Sequence, residues 1–177
     1  IFFVAYTKND VSDVRKRPIT FVFNGGPGSS SAWLHMGAIG PMKVSTTEYG
    51  KTELPPKTFN LVNNDQCWLD ITDLVFIDPV GCGFSKPIGE EKTDKFYGYE
   101  NDIKTTGDFI NQWTSQNKRW GSPKFLAGES YGTTRACGVV DYLTDKYQMY
   151  FNGISLISCA LDFETLREYE TNTLLPY

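Results

Sequence analysis

Residues 123–132 read Pro-Lys-Phe-Leu-Ala-Gly-Glu-Ser-Tyr-Gly. Lys124 to Ala127 is a short, mostly apolar run that halts at Gly128. Downstream, Ala136, Val139, Val140, Leu143 and Tyr147 recur at helical spacing, which predicts an amphipathic helix over 133–147. Between the two lies Gly128-Glu129-Ser130-Tyr131-Gly132. A Gly-x-Ser-x-Gly string alone is common. Its weight here comes from the setting of strand, sharp turn and helix, with the serine at the apex. The flanking glycines stand where a Cβ would collide with neighbouring backbone. A serine that merely caps a helix is the plainer alternative. The setting favours a nucleophile at Ser130.

Working outward, Ile19 to Phe23 is a β-branched and aromatic run that ends at Asn24-Gly25-Gly26, a strand entering a turn. Ser29 to Ser31 are candidate caps for a short helix after it. Leu74 to Ile77 repeats the pattern of apolar strand and Gly-rich turn. Ile103, Gly107, Ile110 and Trp113 mark a second helix, and Gly153 to Ser158 a further strand. The opening Ile-Phe-Phe-Val-Ala-Tyr-Thr also reads as a strand, and residues 45–68 as a loop or weak hairpin. Strands alternating with amphipathic helices predict an α/β fold of βαβ units: a mainly parallel sheet with helices on both faces. With the serine turn, this is the α/β-hydrolase fold.

The 177 residues suffice for one domain, and 40% hydrophobic content argues against disorder. The net charge is −4 and Lys/Arg blocks are lacking, so no nucleic-acid partner is expected. No apolar run approaches a membrane span, so no membrane partner is expected. Cys67, Cys82, Cys137 and Cys159 are scattered without metal-ligand spacing, so neither a metal nor a cofactor is expected. They read as isolated, partly buried thiols, with one disulfide left open. Oligomeric state is not legible. Both ends read as those of a fragment, an incomplete N-terminal portion of a hydrolase domain over 1–177.

A hydrolytic serine needs donors for the oxyanion. In this fold they are the N–H of the residue after the nucleophile and one from an earlier Gly-rich loop. Tyr131 fits the first role. Asn24-Gly25-Gly26-Pro27-Gly28 fits the second, with Gly26 as the donor.

Three blocks in order, Asn24–Ser31 (NGGPGSSS), Phe76–Ser85 (FIDPVGCGFS) and Gly128–Gly132 (GESYG), together resemble the serine carboxypeptidase family of α/β-hydrolases. The resemblance spans residues 18–165. The second block and Pro123–Ala136 look most like its bacterial members. The resemblance implies release of C-terminal residues from peptides through an acyl-enzyme on Ser130. It implies that Gly26 and Tyr131 supply the oxyanion N–H groups. It further implies that Asn24, Gly25 and Glu129 bind the terminal carboxylate of a peptide substrate. Two carboxyl groups can share a hydrogen bond only when one is protonated, so peptidase action should favour acidic pH. Two departures stand out. Ser29 replaces a cysteine usual in the family, and Ala38 occupies the position where many eukaryotic members carry a second carboxylate-binding acid. An extracytoplasmic setting, periplasmic or secreted, is the expectation, although the residues leave the compartment open. The second block carries no derivable catalytic role, and Cys82 within it reads as an ordinary thiol.

Serine needs a base. The sole histidine is His35, and a triad of His35, one of Asp70, Asp73 or Asp78, and Ser130 is conceivable. In this fold, however, the order is serine, acid, histidine, and no histidine follows Ser130. His35 is therefore expected to pack, the acid and base to lie beyond residue 177, and the isolated chain to be nearly inactive. Alternatives of the same fold are an esterase or an acyltransferase. A non-catalytic binding domain is a third.

Overall fold

The computed structural model describes residues 1–45 and 60–160. Part of the 45–68 stretch and the last seventeen residues lie outside these. The strands are β1 (Phe2–Tyr6), β2 (Ile19–Phe23), β3 (Met42–Val44), β4 (Leu61–Asn63), β5 (Asp73–Asp78), β6 (Lys124–Glu129) and β7 (Gly153–Ile157). Helix α1 (Ala32–Leu34) continues into a π-helical turn (His35–Ile39). Helices α2 (Tyr99–Gln116) and α3 (Tyr131–Tyr147) are long.

The main sheet runs β1-β5-β2-β6-β7, and every pairing is parallel except that of β1 with β5. β3 and β4 form a separate antiparallel pair; β4 falls within the 45–68 stretch and its partner β3 lies just before it. β2 and β5 are buried on both faces, as their unbroken apolar runs require of central parallel strands. Helices cover the two faces unequally. On one, α2 and α3 deliver Ile103, Ile110, Trp113, Ala136, Val139 and Leu143 onto Phe21, Phe23, Val75, Ile77 and Leu126. On the other, Leu34 and Ile39 from the α1 segment pack on Val22, Leu74, Phe76 and Ala127. Leu126 is fully buried between neighbours on both sides. Leu126→Ala should cost about 2–5 kcal/mol, read from urea unfolding.

Register explains why three sequence blocks become one site. Phe23 lies opposite Gly128, and Val22 opposite Phe76. The loops after β2, β5 and β6 therefore leave the sheet at the same carboxyl edge, where open α/β sheets bind ligands.

Candidate active site

Ser130 sits between β6 and α3 with φ 56° and ψ −124°, a backbone that side-chain-bearing residues rarely adopt. It occupies the N-cap position of α3, yet its side chain makes no capping hydrogen bond. The capping alternative is thereby excluded, and the hydroxyl is carried at the apex of the turn. The turn is tight because backbones interlock. A Cβ at Gly128 would stand 2.1 Å from the Gly132 carbonyl oxygen. Gly128→Ala should accordingly destabilise the fold by about 3 kcal/mol, measured as a fall in the urea midpoint at unchanged m.

The loop Asn24–Gly28 lies against this turn. A Cβ at Gly25 would be 2.6 Å from both the Glu129 oxygen and the Tyr131 nitrogen, so the Gly25–Gly26 peptide sits beside the Tyr131 amide. Gly26 has φ 103° and is exposed. Asn24 is buried; its Nδ2 donates to Glu129 Oε2 at 3.1 Å, and its Oδ1 accepts from Leu34 N at 3.1 Å. The structure thus brings Asn24, Gly25, Gly26, Glu129, Ser130 and Tyr131 together at one edge.

The second Gly-rich block is a brace. Buried Asp78 accepts hydrogen bonds from Ser30 Oγ (3.0 Å), Ser31 N (2.8 Å), Ser31 Oγ (2.9 Å) and Phe84 N (3.1 Å). It ties the loop after β5 to the start of α1. Of the candidate cap serines, Ser30 accepts from Ala32 N, while Ser31 points its hydroxyl at Asp78. Cys82 donates to the Pro27 oxygen at 3.2 Å, and burial pushes its thiol pKa up, which fits an unreactive thiol. All four cysteines are free.

His35 belongs elsewhere. Its Nε2 lies 2.7 Å from Tyr6 Oη, and its ring stacks on Phe76 at 4.4 Å. Burial lowers its pKa, against the pull of Asp78, so it is neutral at pH 7. Asp70 pairs with Lys8 in solvent, and Asp73 is held by Arg17 and Arg119 at the start of β5, the end of the sheet away from Ser130. His35 and each of the three candidate acids thus have another partner. Ala38 lies exposed on the π-helical turn, with its carbonyl accepting from Asn64.

Two residues that the motifs do not mark shape the site. Arg135, fully buried on α3, donates from Nε to Asp102 at 2.8 Å, from Nη1 to the Asn24 oxygen at 2.6 Å and from Nη2 to the Pro27 oxygen at 3.2 Å. Its guanidinium lies 5.4 Å from the Phe23 ring centre and 5.1 Å from that of Tyr131. Burial, then the charge of Asp102 and a hydrogen bond to it, push the Tyr131 hydroxyl up to about 12, so it stays protonated. The sequence did hold a signal for Arg135. It stands four residues before Val139, a cation on the apolar face of α3. A largely apolar cavity of about 580 Å³ opens beside Tyr131 and Pro27, walled also by Cys82, Tyr97, Tyr99 and Asp102. Among the described residues, no cluster suits a metal, and no helix is long and apolar enough to cross a membrane.

The sequence profile of the serine carboxypeptidase family matches residues 1–173. The chain belongs to the serine carboxypeptidase family. Serine carboxypeptidase-like 8 of Arabidopsis thaliana is 29% identical over 185 residues, covering 99% of this chain and 40% of that protein. Pheromone-processing carboxypeptidase KEX1 of Saccharomyces cerevisiae is 34% identical over 137 residues, covering 73% of this chain and 17% of that protein. The crystal structure of this yeast prohormone-processing carboxypeptidase superposes with a TM-score of 0.66 at 28% identity, over 87% of this chain and 32% of its own. The yeast peroxisomal α/β-hydrolase Lpx1, at 13% identity and a TM-score of 0.50 over 87% of this chain and 35% of its own, shares the fold. This serine carboxypeptidase family chain spans less than half the length of these relatives.

Proposed function

We propose that the protein carrying this chain is a serine carboxypeptidase acting on peptides with a free C-terminus. The observation that carries the reading is Ser130, held at φ 56° with the Gly25–Gly26 peptide against the next amide. Ser130 Oγ attacks the last peptide carbonyl as its proton passes to a base. The oxyanion forms between the N–H groups of Gly26 and Tyr131. Collapse breaks the C–N bond and releases the C-terminal residue with that proton, and water then hydrolyses the acyl-enzyme. Asn24, Gly25 and Glu129 hold the substrate carboxylate, and the existing Asn24–Glu129 hydrogen bond orients that pair. The cavity beside Tyr131 suits an apolar substrate side chain. With His35 engaged by Tyr6, the reading draws the triad acid and histidine from sequence outside residues 1–177 and makes this segment alone nearly inactive. A peptidase favoured by acidic pH also fits an extracytoplasmic setting.

A fluorophosphonate probe and blocked dipeptides, applied to the full-length protein, test this. Labelling of Ser130 with release of the C-terminal residue, faster in acid than at neutral pH, supports it. Ester hydrolysis without peptide hydrolysis favours an esterase or acyltransferase, a reading that Ala38 keeps in view. A full-length protein never labelled at Ser130 favours a non-catalytic binding domain. Glu129→Gln should flatten the acid preference, which appears as a KM less dependent on pH, because an amide needs no shared proton to meet a carboxylate.

A further inference from the structure

We infer that Arg135 is a positioning residue of the site, clamping the Gly25–Gly26 peptide opposite Ser130; this rests on the serine-hydrolase reading above. Glycines have no side chains by which packing could hold them, so the loop must be held by its backbone. Arg135 bonds the two carbonyls that bracket the pair, Asn24 O and Pro27 O. It does so from the second turn of α3, the helix whose first turn follows Ser130. One planar fork therefore ties the donor loop to the element that carries the serine. Three features hold the fork itself. Nε is fixed by Asp102, whose side chain is 13% exposed, and the guanidinium lies over the rings of Phe23 and Tyr131. Cys82 adds a weak second hydrogen bond to Pro27 O. Arg135 does not itself touch the reacting atoms in this account. It fixes the direction of the Gly26 N–H, which counts only when charge develops on the carbonyl oxygen.

Arg135→Lys separates this role from mere structure. Lysine keeps the charge facing Asp102 but lacks the fork geometry that spans three acceptors. In the full-length protein, kcat on a blocked dipeptide should fall about 10–100-fold, less than the roughly 100–1000-fold that losing an oxyanion donor outright costs, while KM changes less than about threefold. Circular dichroism should show an unchanged fold. In Arg135→Ala, added guanidinium should restore part of kcat. A Lys variant with wild-type kcat, or with the loss entirely in KM, overturns the assignment, as does an alanine variant that folds but is never rescued. Should the unsubstituted protein show no turnover and no Ser130 labelling, the serine-hydrolase reading falls instead. The Gly26 and Tyr131 amide resonances then decide the clamp alone. They shift in Arg135→Lys if it exists, and unmoved resonances overturn it.

Discussion

Replacing Ser130 with alanine is expected to lower kcat of the full-length protein about 10⁶-fold and to abolish fluorophosphonate labelling. The size of the loss follows from the role. On the proposed mechanism there is no acyl-enzyme without the hydroxyl, and the donors proposed at Gly26 and Tyr131 would only assist direct attack by water. The same position makes a second, opposite prediction about stability. Ser130 holds φ 56°, ψ −124°, a conformation costing about 1–3 kcal/mol for a residue with a Cβ. Alanine keeps that strain and should leave the unfolding midpoint nearly unchanged. Glycine relieves it, so Ser130→Gly should be more stable by about 1 kcal/mol and equally inactive. A glycine variant no more stable than alanine would show that the turn is not strained. Retained turnover in either variant would remove Ser130 from the chemistry.

The second large effect lies at the far end of the sheet. Asp73, 1% exposed, accepts from Arg17 Nε at 2.7 Å, Arg119 Nη1 at 2.7 Å and Lys8 N at 3.1 Å. Arg119 is itself buried, and it also bonds Ser122 Oγ and the Arg17 carbonyl. Asp73→Asn leaves two guanidinium groups without their counter-charge, one of them buried. The expected loss is about 3–5 kcal/mol in urea unfolding. The pH dependence has a definite sign. Burial pushes the Asp73 carboxyl up, but the hydrogen bonds from Arg17 and Arg119 outweigh it and hold the pKa below its ordinary 3.8. The unfolded chain therefore takes the proton first. The stabilisation is complete above the ordinary value and is lost as pH falls below it, through the lower folded value. Wild type should thus lose stability steeply in acid, and Asp73→Asn should lose less over the same range. Parallel acid limbs in the two proteins would refute the account.

The positions of the main sheet's strands, both long helices and the serine turn are legible because each rests on local pattern. Ile19–Phe23 was read to the residue, since a run buried on both faces ends where glycine and asparagine begin. Leu74–Ile77 and Lys124–Ala127 were read one or two residues short. Their outer residues, Asp73, Asp78 and Glu129, are polar, and they continue the strand only because partners elsewhere satisfy them. Asp78 shows the limit most clearly. A carboxylate before proline reads as a turn, and nothing local reveals that it binds Ser30 and Ser31 some 47 residues earlier. The service of Arg135 to Asn24, 111 positions away, is hidden for the same reason. The helices expected on both faces are present but uneven, because the segment after β2 forms only a short α-helix and a π-helical turn.

The close approach of Gly25 to the Tyr131 amide has a practical consequence for mutational mapping. Truncation scans find function by deleting atoms, and here the loop after β2 and the serine turn approach each other through glycines, which have no side chain to delete. Removing neighbours one at a time will therefore under-report this part of the protein. Its sensitive positions are those where alanine is an addition, and a scan that adds a single methyl at Gly25, Gly26, Gly128 and Gly132 is the one that will outline it.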